Sequence, residues 1–122
     1  MITEKEFYEK VGGNYTEALS RLMKDSLIHK FVLKYKNDPS FANLAAAVAA
    51  RDWDSAFSCA HTMKGVVMNL AFSRLAGPTQ ELTDLLRPQN KDAFSEEKAL
   101  ELFALVELYY NELIAAIAEL EA

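Results

Sequence analysis

Between Ala99 and Leu120 the residues Ala99, Phe103, Val106, Tyr110, Leu113, Ile117 and Leu120 recur in alternating steps of four and three. That period puts all seven on one side of an α-helix and is the spacing of helix-bundle packing. A helix of about 25 residues marked in this way cannot bury its stripe alone, so other helices in the chain must cover it. The preceding sequence supplies them. Asp52 suits an N-cap, and Trp53, Ala56, Ala60, Met63, Val67 and Leu70 then advance by three or four residues at a time. Pro39 ends the segment before, and Ser40 is expected to cap an Ala-rich helix that carries Phe41, Leu44 and Val48 and ends near Ala50. Ser73 is expected to start a helix with Leu75, Leu82 and Leu86, in which Pro78, lacking an amide, should kink or delay the first half. Ser95, followed by Glu96 and Glu97, suits the start of the closing helix, where carboxylates meet the positive end of the dipole.

Nearer the N-terminus, Thr3 and Glu6 fit a capping box for a short helix over 4–11, which Gly12 and Gly13 stop. Ala18, Leu22, Ile28, Phe31 and Tyr35 mark one interrupted helix or two short ones from Tyr15 to about Lys36, with a break near Asp25 and Ser26. The four later helices, roughly 11, 19, 14 and 25 residues long, have short connections that make sequential helices antiparallel neighbours. The expected fold is therefore all-α, an antiparallel up-and-down four-helix bundle with short additional N-terminal helices. At 122 residues it forms a single domain over 1–122, with its bundle core at about 40–120.

Charge and composition remove several classes of function. Thirteen Lys and Arg face eighteen Asp and Glu, a net charge of −5 that repels nucleic acid and anionic membranes. The acidity belongs to the segment from Asp92 onward, and the first 91 residues are mildly basic. The longest apolar run, Leu44 to Ala50, is far short of the roughly 20 residues that span a bilayer. Met1 to Glu6 mixes charges without an apolar signal core, so the expected compartment is the cytoplasm. One cysteine, Cys59, offers neither an internal disulfide nor a redox pair, and two distant histidines offer no metal site.

The residues that could carry chemistry lie on the helix from Asp52 to Ala71, one position round from its core stripe. Phe57, His61, Lys64, Gly65 and Met68 line up there at steps of three and four. An imidazole with a reference pKa near 6.5 is largely neutral at cytoplasmic pH, which leaves a ring nitrogen available as a nucleophile. Lys64 can set an ammonium beside it to offset phosphoryl charge. Gly65 sits in a helix interior at a cost of about 1 kcal/mol relative to alanine. At i+4 from His61, its missing side chain gives clearance for a docking partner. Phe57 and Met68 would flank the histidine as apolar docking residues. By contrast, the neighbours of His29 suggest no site, and Cys59 reads as a small packing residue.

The string His61-Thr62-Met63-Lys64-Gly65-Val66-Val67-Met68-Asn69-Leu70 resembles the signature of the histidine-containing phosphotransfer (HPt) domain, in which His, two residues and Lys-Gly lead to Asn-Leu-Gly. The likeness continues upstream through Asp52-Trp53, Phe57, Cys59 and Ala60 and downstream to Leu75 and Leu82, and it covers about residues 14 to 120. It implies that His61 accepts a phosphoryl group from a receiver-domain aspartate and passes it to another receiver, in a response regulator or a hybrid sensor kinase. The resemblance implies no kinase or phosphatase activity and no cofactor, since the magnesium ion belongs to the receiver. By the same likeness Lys64 neutralises charge, Gly65 permits close approach, and Phe57 and Met68 belong to the docking surface. The protein is expected to act as a monomer.

This chain departs from the family pattern at two positions. Ala71 stands where the family commonly has glycine, and Thr83 stands where the facing helix often presents glutamine or glutamate to orient the histidine; Gln80, one turn earlier, could substitute. Thr83 and Pro78 are the features that favour the alternative reading, a non-catalytic helical interaction module without phosphotransfer.

Overall fold

Local capping chemistry sets most of the helix boundaries. The computed structural model describes residues 2–121, so Met1 and Ala122, the ends of the expected domain, lie outside the described residues. Helix α1, Glu4–Val11, opens on the expected capping box: the Glu6 amide donates to Thr3 Oγ1 at 3.1 Å, and the Thr3 amide donates to Glu6 Oε1 at 2.9 Å. It closes at Gly12, whose φ of 70° is left-handed. A Cβ there would also lie 2.9 Å from Arg74 Cβ, an atom that cannot swing away as the guanidinium end can, so both backbone and packing favour glycine. Asn14 caps α2, Tyr15–Leu22, by accepting from the Glu17 amide at 3.0 Å. Helix α3, Asp25–Tyr35, follows after a left-handed Met23 at φ 76°, so the 15–36 segment is two helices that part just before the expected break.

Helix α4, Ser40–Ala49, corrects one expected cap. Ser40 is buried as the first helical residue, and its amide and hydroxyl donate to Asp38 Oδ1 at 2.8 and 2.5 Å. Pro39 has already turned into helical geometry, so the side chain that reaches the first free amide belongs to the residue before it. Helix α5, Trp53–Asn69, starts as expected, with Asp52 accepting from the Ser55 amide at 3.2 Å.

Helix α6, Ser73–Leu86, starts without the expected delay and continues past Pro78. Pro78 lies one turn in, where the one bond forfeited is that to the carbonyl of Arg74, an exposed residue. Ser73 is itself helical, and buried Phe72 occupies the cap position. The polar stretch after α6 is a 3₁₀ turn over Pro88–Ala93. Helix α7, Glu96–Glu121, then closes the chain, with the Lys98 amide on Ser95 Oγ at 3.2 Å.

The packing follows the stripes. Helix α5 lies against α4 and α6, α6 lies against α7, and α1 and α3 cover part of α7. Ala56, Ala60, Met63 and Val67 from α5 are fully buried, as are Leu44 of α4, Leu82 of α6, and Val106 and Ile117 of α7. On the α4–α7 seam, Phe41 stacks on Tyr110 with ring centroids 3.9 Å apart.

A second centre, built from aromatic residues, ties down the N-terminal helices. Phe7 and Tyr8 of α1, Tyr35 of α3 and Phe72 are all buried, and edge-on contacts link Phe7 and Tyr35 to Phe72. The Tyr8 hydroxyl donates to the Leu70 carbonyl at 2.8 Å, which fixes α1 to the end of α5. Across the described residues the fold is all-helical, and no helix among them is long and apolar enough to cross a membrane.

Candidate functional site

Since the core stripe of α5 faces inward, the next row of side chains must face out. His61 lies at the middle of that row and is exposed. Its ring stacks on Phe57, one turn earlier, at 5.9 Å between centroids and 25° between planes. Among the described residues no hydrogen bond holds either ring nitrogen, so both are open to a reactant. Phe57 itself is half-buried, and the guanidinium of Arg87 lies 5.7 Å from its ring centroid. Arg87 is fixed in turn by Asp84, at 3.0 Å from Nε to Oδ1. The imidazole thus stacks on an aromatic ring that also has a guanidinium close by.

Lys64, one helical turn after the histidine on α5, is half-buried and has no ion-pair partner among the described residues. Gly65 is exposed within regular helix, and a Cβ built on it would meet nothing within 4 Å. Packing therefore does not require glycine here, unlike at Gly12. Met68 continues the row at 43 % exposure. Its carbonyl and that of Asn69, the last of α5, both accept from Arg21 of α2, which also pairs with Glu17. Phe57, His61, Lys64, Gly65 and Met68 therefore share one face.

Two other expected site residues have different surroundings. Thr83 is fully buried, and its hydroxyl donates to the Thr79 carbonyl at 2.7 Å. Gln80 is exposed on α6. Neither hydrogen-bonds His61 in the described structure. His29 contacts Glu4 at 3.1 Å and links α3 to α1. Among the described residues, no three His, Cys, Asp or Glu side chains are gathered so as to hold a metal.

Contact between the Phe57–Met68 face and the N-terminal helices is open to sequence reasoning, but Arg87 and Arg21 as its particular neighbours are not. An arginine thirty positions from the aromatic ring it covers leaves no local pattern to read. Nor does the sequence reveal the groove of about 740 Å³ that lies between α3, the 36–39 turn and α5. Phe31, Lys34 and Tyr35 line one side, and Thr62, Gly65 and Val66 line the other.

The model of the Hpt domain matches residues 36–122. No curated protein and no solved structure matches the chain. The matched residues take in all of α4 to α7, with His61 among them, and on that basis the chain belongs to the Hpt domain family, whose members serve phosphotransfer in two-component signalling.

Proposed function

We propose that the protein is a phosphocarrier of a two-component relay, in which His61 takes a phosphoryl group from the aspartate of one receiver domain and gives it to another. The observation that carries this reading is an exposed imidazole with both nitrogens free among the described residues, one helical turn from a lysine and from an unobstructed glycine on the same helix. In the forward step the unprotonated ring nitrogen attacks phosphorus. The new N–P bond forms as the acyl O–P bond breaks, and the aspartate leaves as a carboxylate. Loss of the proton on the other ring nitrogen restores a neutral ring. Such transfer asks of the protein chiefly position and charge neutralisation, which this sparse site can provide.

Within that reading Lys64 offsets the charge of the bound phosphoryl group, Gly65 leaves room for the receiver, and Phe57 and Met68 meet it. Phe57 also holds the ring's plane. Thr83 keeps its hydroxyl proton on Thr79, and with Gln80 it can contribute to orientation only as an acceptor or after a side-chain rotation. The chain acts as one domain, with α4 to α7 as an antiparallel up-and-down four-helix bundle and a core over about 40–120. It works as a monomer in the cytoplasm, needs no cofactor, and catalyses no phosphorylation or hydrolysis of its own.

The test is to mix the protein with phosphorylated receiver domains from the same organism and to follow its intact mass, with His61→Gln in parallel. A phosphoryl adduct that is acid-labile and alkali-stable, on the wild type alone, is expected. Helicity and melting of His61→Gln should match the wild type, because the residue lies off the core. A bundle that binds receivers but never acquires the adduct would be the non-catalytic interaction module instead.

A further inference from the structure

The family match begins at residue 36, so α1, α2 and α3 lie outside it. In α2, α3 and the turn that follows, every acid is engaged within the fold: Glu17 by Arg21, Asp25 by the Tyr15 hydroxyl, and Asp38 by Ser40. The lysines differ. Lys36 pairs with Glu121, but Lys24, Lys30 and Lys34 have no ion-pair partner among the described residues. Lys30 and Lys34 are exposed one turn apart on α3, and Phe31 and Lys34 line the groove that reaches Thr62 and Gly65. Those two residues are the immediate and the one-turn neighbours of His61. The groove floor is mainly apolar, with Phe31, Val66 and Leu70, so it has an apolar bed, a basic rim and an opening onto the histidine's face.

We infer that α3 is the second wall of the docking surface: the receiver domain seats an apolar side chain in this groove and sets acidic residues against Lys30 and Lys34. This rests on the phosphotransfer reading, which also identifies the occupant. A partner that delivers a phosphoryl group from an aspartate brings a carboxylate and a dianionic group to His61, so negative charge is intrinsic to it. The protein as a whole, at −5, repels such a partner. A local basic rim reverses the sign at the point of contact, within a screening length of about 10 Å at 0.1 M salt. The helix outside the family match thereby governs which receivers dock, while α5 carries the chemistry.

The experiment compares the wild type with Lys30→Glu/Lys34→Glu and with Lys5→Glu/Lys91→Glu, a control of equal net charge away from the groove. Transfer from a phosphorylated receiver that labels the wild type is timed at low and high salt. Direct labelling of His61 by phosphoramidate, a small donor that needs no docking, is followed in parallel. For Lys30→Glu/Lys34→Glu, transfer at low salt should slow by about tenfold, and the gap should narrow to about twofold at 0.5 M salt. Phosphoramidate labelling should be unchanged. Unchanged transfer, or equal slowing by the control pair, would overturn the docking surface and leave the phosphotransfer reading intact. If no receiver labels the wild type, or if His61→Gln is labelled as well as the wild type, the phosphotransfer reading itself falls.

Discussion

Replacing Gly65 separates folding from function. The residue lies inside α5 with no left-handed φ, it is exposed, and a Cβ would meet nothing within 4 Å. Gly65→Ala therefore removes the backbone entropy penalty of glycine in a helix and introduces no clash, a gain of about 1 kcal/mol. For a domain of this size that raises the melting temperature by roughly 3–5 °C. Gly65→Gln keeps most of the gain and projects a long side chain beside His61, where it should slow transfer from a receiver by at least about tenfold while phosphoramidate still labels the ring. The assays are thermal denaturation followed by circular dichroism and timed phosphotransfer. A lower melting temperature for Gly65→Ala would mean that the fold itself requires the glycine. Unchanged transfer for Gly65→Gln would remove clearance as its reason.

The two buried tyrosines should respond in opposite directions when the hydroxyl is removed. Tyr8→Phe leaves the buried Leu70 carbonyl without its donor and should cost about 1–3 kcal/mol by denaturant titration. The Tyr35 hydroxyl is buried with no partner among the described residues, so Tyr35→Phe should be neutral or stabilising by up to about 1 kcal/mol. Burial pushes both phenols well above their ordinary range. A folded-state pKa above the unfolded value means that the associated stability is intact below about pH 10 and declines as the pH rises past it. Alkaline denaturation curves should therefore be shallower in the double variant Tyr8→Phe/Tyr35→Phe, and identical curves would contradict the assignment.

What could be read from the sequence was the information carried within one or two helical turns. Asp52 and the Thr3–Glu6 pair act on amides three residues away, and the stripes of α5 and α7 repeat within their own helices, so the extents of these elements follow from local spacing. The row Phe57, His61, Lys64, Gly65 and Met68 is legible for the same reason. Ser40 misled because Pro39 adopts helical geometry and hands the capping role to Asp38, a choice that depends on one backbone angle. Pro78 misled because the cost of a missing amide depends on how near the helix start and the solvent it falls. The cluster of Phe7, Tyr8, Tyr35 and Phe72 joins segments far apart in the chain. The Arg87–Phe57 contact and the α3 groove are tertiary in the same sense, so the surroundings of the site emerged only from the fold.

Only two histidines are present, His61 exposed on α5 and His29 bound to Glu4. The most direct test of His61 as the phosphoacceptor is to digest the protein after transfer from a phosphorylated receiver, under alkaline conditions that preserve phosphohistidine, and to locate the phosphoryl group by tandem mass spectrometry. It should lie on His61 alone, approaching one group per chain. Label on His29, or on no histidine, would contradict that role.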